Sequence, residues 1–182
     1  SSTPLPPDTN KVNYSSSQTT YQWDQDLGNK ISNLDDGYVA ITSSFPFSYY
    51  GVEYSRFAVS GNGRIQPLTS SESLPSTEDY NTSVYKGISV YNIDLVPSSI
   101  SSDGGIWAKD NGDSLVVTWV SIPYDLVSSG SSKKEIRVRT VLKKSGEINF
   151  IYNDTETGSA SYDYGKAATV SLSPMSSSTG SN

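Results

Sequence analysis

The side chains that could do chemistry in this sequence are carboxylates, lysines, tyrosines and serines, because the chain holds neither histidine nor cysteine. Triads of the Ser-His type, Cys-His pairs and zinc sites built from histidine or cysteine are therefore excluded. Side chains that could offer oxygen ligands gather in three places: Asp24 with Asp26, the adjacent pair Asp35 and Asp36, and the run Asp103, Asp110, Asn111 and Asp113. Calcium takes ~6–8 oxygen ligands, and aspartate-rich loops supply them. None of the three has the spacing of an EF-hand, and Asp110 to Asp113 also reads as a turn. Calcium is thus the one cofactor the sequence leaves open, at Asp35 and Asp36 or within Asp103, Asp110 and Asp113. Hydrolysis of glycosides needs two carboxylates ~5–9.5 Å apart across a cleft. Nothing in the sequence points to such a pair, so the expectation is a protein that is not an enzyme.

Two further sets could bind rather than react. Arg137, Arg139 and Lys143, preceded by Lys133 and Lys134, form the densest positive stretch of the chain. It reads either as a docking face for an acidic polysaccharide, a carboxylate-bearing partner or another subunit, or as a solvated strand face kept positive against edge pairing. The second set is aromatic. Thirteen tyrosines and three tryptophans are many for this length, and exposed aromatic rings stack on the apolar faces of sugars. Tyr49, Tyr50 and Tyr54 are candidates, as are Tyr80, Tyr85, Tyr162 and Tyr164 in loops; Phe45, Phe47, Phe57, Trp107, Trp119 and Phe150 stand where a core is needed. The binding residues expected are Tyr49, Tyr50, Tyr162 and Tyr164 with Arg137 and Arg139.

The elements that must position these groups are strands. In "KKEIRVRTVLKKSGEINFIYN", Ile136, Val138, Thr140 and Leu142 alternate with Arg137, Arg139, Val141 and Lys143. Lys144-Ser145-Gly146 then turns the chain, and Ile148, Phe150 and Tyr152 alternate on the return. A second hairpin, "GIWAKDNGDSLVVTWVSI", turns at Asn111-Gly112, a pair suited to a type I′ turn. Further strands are predicted at Tyr38 to Thr42, Tyr54 to Ser60, Arg64 to Pro67, Gly87 to Tyr91 and Ala167 to Ser173, with a Gly-Asn-Gly corner at 61 to 63. No stretch carries a helical stripe. The fold class expected is all-β, an antiparallel sandwich of jelly-roll or immunoglobulin-like arrangement with little or no helix.

At 182 residues and 34% hydrophobic content the chain suits one domain. Residues 1–33 read as a Ser/Thr/Pro-rich extension, 34–174 as the sandwich, and 175–182 as a tail. Within the extension, Tyr21, Trp23, Leu27 and Ile31 are spaced to dock on the same sandwich or on a neighbouring copy. Thirteen basic against nineteen acidic residues give a net charge of −6, which argues against nucleic acid and anionic membrane surfaces as partners. No apolar run is long enough to cross a bilayer, and the stretch as it stands reads as carrying no signal peptide. Sequons at Asn13, Asn81 and Asn153 lean towards an extracellular or cell-surface address.

The succession "FPFSYYG", "FAVSGNGRI", "GIWAKDNGDSLVVTWVSI", "EIRVRTVLKKSGEINFIYND" and "KAATVSLSP" resembles a nidogen-like module, as found in nidogen and in plexin-domain-containing surface proteins. The resemblance runs from Leu34 to Pro174. It implies a non-enzymatic part of a matrix, adhesion or surface protein, with no catalytic residue to carry over. Three roles follow as expectations: an adhesive or structural module, a filament or surface-layer subunit joined by N-terminal strand addition, and a carbohydrate-binding module using loop tyrosines. Its partners would be further copies of itself, other surface proteins or glycans.

Overall fold

The computed structural model describes residues 14–76, 86–128, 133–161, 163–165 and 168–175. The described strands are β1 (Asn29–Ser32), β2 (Tyr38–Tyr49), β3 (Val52–Ser60), β4 (Arg64–Leu68), β5 (Gly87–Asn92), β6 (Leu95–Pro97), β7 (Gly105–Asp110), β8 (Ser114–Pro123), β9 (Ile136–Lys143), β10 (Ile148–Asp154) and β11 (Thr169–Ser173). One helical turn, α1 (Tyr124–Val127), follows β8. The strands form two antiparallel sheets, as the alternating pattern predicts. The first runs β1-β7-β8-β9-β10 with β6 also on β8, and the second runs β11-β5-β4-β3-β2.

Period-two alternation decides what faces what. Ile136, Val138, Thr140 and Leu142 of β9 are fully buried, as are Phe47, Phe57, Val59 and Ile65 from the second sheet. Apart from the polar Thr140, these two sets belong with Trp119 to one continuous core. Buried polar groups also reach from one sheet to the other. The Trp119 indole N–H donates to the Ser60 carbonyl at 2.8 Å, and the Tyr152 hydroxyl donates to the Val90 carbonyl at 2.6 Å. Each gives a polar side-chain atom at the core a backbone acceptor.

The Gly-Asn-Gly corner is forced by close approach. A Cβ on Gly61 would collide with the Asp35 carbonyl oxygen, and one on Gly63 with that of Tyr91. Between these glycines, Asn62 is buried and accepts a hydrogen bond from the Leu95 amide at 2.7 Å. The corner thereby stitches the β3–β4 turn to the segment on either side of Asp94.

Two boundaries differ from the sequence reading. β2 continues past Thr42 to Tyr49 although it contains Pro46. It is the outermost strand of its sheet, where a missing N–H costs no ladder bond, and its register shifts between Thr42 and Phe47. At the other end, β1 lies inside the stretch set apart as an extension. Asn29 pairs with Ala108 and Lys30 with Trp107, and the Lys30 ammonium sits 5.3 Å from the centre of the Trp107 ring. Residues 29–32 thus complete the first sheet of their own chain. Part of the predicted last strand, Ala167, lies outside the described residues.

Candidate functional site

The outward face of β9 holds two arginines two residues apart, and the molecule treats them differently. Arg137 donates through Nη2 to Asp103 at 2.9 Å and to Glu135 at 2.8 Å. Glu135 is held in turn by the hydroxyls of Ser98, at 2.6 Å, and Ser101, at 2.9 Å. Burial works against the charge of both groups. For Arg137 the two carboxylates win and the pKa rises above its usual value; for Glu135 the Ser98, Arg137 and Ser101 hydrogen bonds win and the pKa falls.

Arg139 has no such carboxylate. Its Nε donates to the Thr118 hydroxyl at 2.7 Å and its Nη1 to the backbone carbonyl of Asp24 at 3.0 Å. The Trp23 ring covers the guanidinium face, with its centroid 4.0 Å from Cζ. Nη2 is buried without a hydrogen-bond partner. The residue is only 2% exposed, and burial pulls its pKa below the usual arginine value against the more distant charges of Asp24, Tyr21 and Asp26.

The expectation of a solvated basic face is therefore corrected. The coil before β1 lies across this part of the sheet and seals it. Elsewhere the stretch dissolves into local pairs, Lys134 with Glu156 at 2.9 Å and Lys143 with Glu147 at 3.3 Å, while the Lys133 ammonium donates to the Val127 carbonyl.

The covering coil is shaped by its aspartates. Asp24 Oδ1 accepts from the Asp26 amide at 2.9 Å and Asp26 Oδ1 from the Gly28 amide at 3.0 Å, two consecutive side-chain turns. Lys109 then reaches Asp26 at 2.6 Å. Between coil and sheet remains a cavity of about 320 Å³, lined among others by Tyr21, Asp24, Asn111, Asp113, Arg139 and Lys143. Of the four residues expected to dock the N-terminal segment, Trp23 packs on Arg139, Leu27 is buried and Ile31 rests against the core. Tyr21 stands 52% exposed at the cavity.

Among the described residues, the tyrosines expected to bind do not form a shared exposed platform. Tyr49 is 1% exposed, and its hydroxyl donates to the carbonyl of Ser173 at 2.6 Å or that of Gly87 at 3.0 Å while accepting from the Ser173 amide at 3.1 Å. It is a clamp on β11, and the pattern Phe45, Phe47, Tyr49 already carried that signal. Tyr50 opens the β2–β3 turn at φ 47°, half-buried, with its ring 5.1 Å from that of Tyr14. Tyr54 is buried and Tyr164 is 74% exposed. Tyr80, Tyr85 and Tyr162 lie outside the described residues.

The carboxylates expected to bind calcium separate into different fates. Asp103 holds Arg137. Asp110 accepts from the Ser44 amide at 2.6 Å and the Gly112 amide at 2.8 Å, capping the backbone where β2 shifts register. Asp113 lines the cavity. Asp35 and Asp36 meet a third residue that the sequence reading missed, Asp94, with carboxylate oxygens within 4.8 Å of one another. Burial, then the charges of Asp36, Asp35 and Asp125, push the Asp94 carboxyl up to about 6. No local motif announces it, because Asp94 follows Asp36 by 58 positions in the chain.

No curated protein and no solved structure matches the chain. A family model described as NIDO related matches residues 13–181, nearly the whole length and including the coil and β1. The match covers the sandwich and its order of hairpins, so the chain belongs to the NIDO-related, that is nidogen-related, family.

Proposed function

We propose that this chain is a non-catalytic adhesive or structural module of the extracellular space or cell surface. Its family is one of non-enzymatic structural modules, and no helix among the described residues is long and apolar enough to cross a membrane. The observation that carries the reading is the fate of the carboxylates. Asp103 and Glu135 neutralise Arg137, Asp110 caps a strand irregularity, and Asp26 holds Lys109. These four carboxylates are thus committed to holding the surface in shape, and the Asp35, Asp36 and Asp94 cluster stands apart from them. The test is cohesion and adhesion of beads coated with the chain, against beads bearing the same chain and against a polygalacturonate-coated surface. Retention on either is expected. Loss of both, together with hydrolytic turnover that an Asp→Asn change abolishes, overturns the reading.

A second reading, self-assembly through the N-terminal segment, is favoured by the position of β1. It is the outermost strand of the first sheet, while β2, which follows after a short connection, belongs to the other. Exchange of β1 between copies would reuse the same pairing with β7 and so require no new surface. Joining residues 29 and 108 through an Asn29→Cys, Ala108→Cys cross-link should keep the chain monomeric in light scattering while the unlinked chain grows in mass. Equal masses would remove this reading.

A further inference from the structure

We propose that the cavity between the N-terminal coil and the first sheet binds a carboxylate-bearing sugar, with Arg139 Nη2 taking the carboxylate. The inference rests on the adhesive-module reading and names the partner of that module. Its starting point is the unspent donor. A guanidinium has five N–H donors and accepts nothing, and a buried donor without a partner is costly enough to demand an explanation. Arg137, on the same face of the same strand, shows how this sheet treats a structural arginine: it is given two carboxylates. Arg139 is given a hydroxyl, a carbonyl and an aromatic face. The planar pairing of guanidinium with carboxylate is the interaction it lacks.

The rest of the cavity restricts the ligand. The lining sets three carboxylates, Asp24, Asp26 and Asp113, against three cations, Lys109, Arg139 and Lys143, with Lys109 already paired to Asp26, so a multiply charged anion such as a phosphate monoester would be left partly unneutralised. A single carboxylate attached to neutral hydroxyls would not, and the Asp113 and Asn111 side chains can accept from hydroxyls. Tyr21, exposed at the cavity, offers an aromatic face for the apolar side of a sugar ring. A volume of about 320 Å³ lies at the small end of ligand sites, right for a sugar unit or two and too small for a folded peptide. Because Nη2 is sealed beneath the coil that carries Trp23, entry of the carboxylate lifts that coil and alters the Trp23 environment.

The experiment titrates the full chain with glucuronate, using glucose and acetate as controls for ring and charge, and follows tryptophan fluorescence and heat. Saturable glucuronate binding at least about tenfold tighter than either control is expected. Trp23→Phe should abolish the optical signal and keep the heat. Arg139→Gln should remove the preference for glucuronate over glucose. Should that variant fail to fold, Tyr21→Ala decides instead: its side chain is exposed, so melting should not move while affinity falls about tenfold. Equal binding of glucuronate and glucose, or unchanged affinity in Tyr21→Ala, overturns the sugar site. If glucuronate fails while chain-coated beads still cohere, the sugar site falls and the adhesive module stands; if both fail, both fall.

Discussion

Arg137 and Arg139 occupy equivalent places on one strand, yet one is compensated and the other is not. Arg137 lies beside the loop before β7, which supplies Asp103 and the two serines that hold Glu135. Arg139 lies under a coil whose nearest offering is a backbone carbonyl. A guanidinium paired with two carboxylates fixes geometry, and a buried charge with a missing partner stores a cost that a ligand can relieve. What separates structure from site on this sheet is therefore the completeness of the shell, since residue type and strand face are the same.

The largest expected effect breaks the contrast at its weak end. Thr118→Val removes the hydroxyl that accepts from Arg139 Nε and should lower unfolding free energy by roughly 2–3 kcal/mol in denaturant titration. The matched change Ser98→Ala leaves Glu135 with Ser101 and Arg137 and should cost only about 1 kcal/mol. Equal losses would erase the distinction between the two arginines.

The same logic with the sign reversed applies to Asp94, a carboxylate crowded by carboxylates. Its folded pKa, about 6, exceeds its ordinary value of 3.8. Below both values the group is neutral in either state and contributes nothing. As pH rises through that window the unfolded chain releases the proton more readily, so stability falls, and the full penalty stands above about pH 6. Asp94→Asn should therefore stabilise the protein at about pH 7.5 by roughly 1–2 kcal/mol after solvent screening, with the gain gone near pH 3.5. Thermal melts at both pH values check it, and a gain that is constant across pH would show the effect to be packing instead.

Trp23→Ala comes next. It uncovers Arg139 and removes a cation–π contact worth about 1 kcal/mol; a melt that does not move would mean that the coil contributes no protection. The smallest effect belongs to the rim of the compensated site. Asp103→Asn, with a well-exposed side chain, should cost about 0.2–1 kcal/mol and lose that difference in high salt.

Much of the fold could be read from local pattern, because hairpin partners are neighbours in sequence. The faces of β9 and the turns at Gly112 and Gly146, both at positive φ, came from alternation and turn chemistry alone. The site could not be read in that way. Alternation places Arg139 outward, and only a segment 115 residues earlier in the chain decides whether outward means solvent. The acidic cluster has the same cause, with two members before β2 and one after β5. Tyr49 is a different case: the alternation that buries Phe45 and Phe47 already assigned it to the core, and the doublet with Tyr50 concealed it.

The Tyr49–Tyr50 corner also fixes how the module would carry load. Tyr14 packs its ring on both tyrosines, and Ser173 of β11 is gripped by the Tyr49 hydroxyl. The first and last described stretches therefore meet at one corner. Tension applied between residues 14 and 175 would peel them apart there one contact at a time, without shearing either sheet along its strands. In a multidomain protein such a module would hang as a side branch and yield at low force, which single-molecule pulling from those two positions would register.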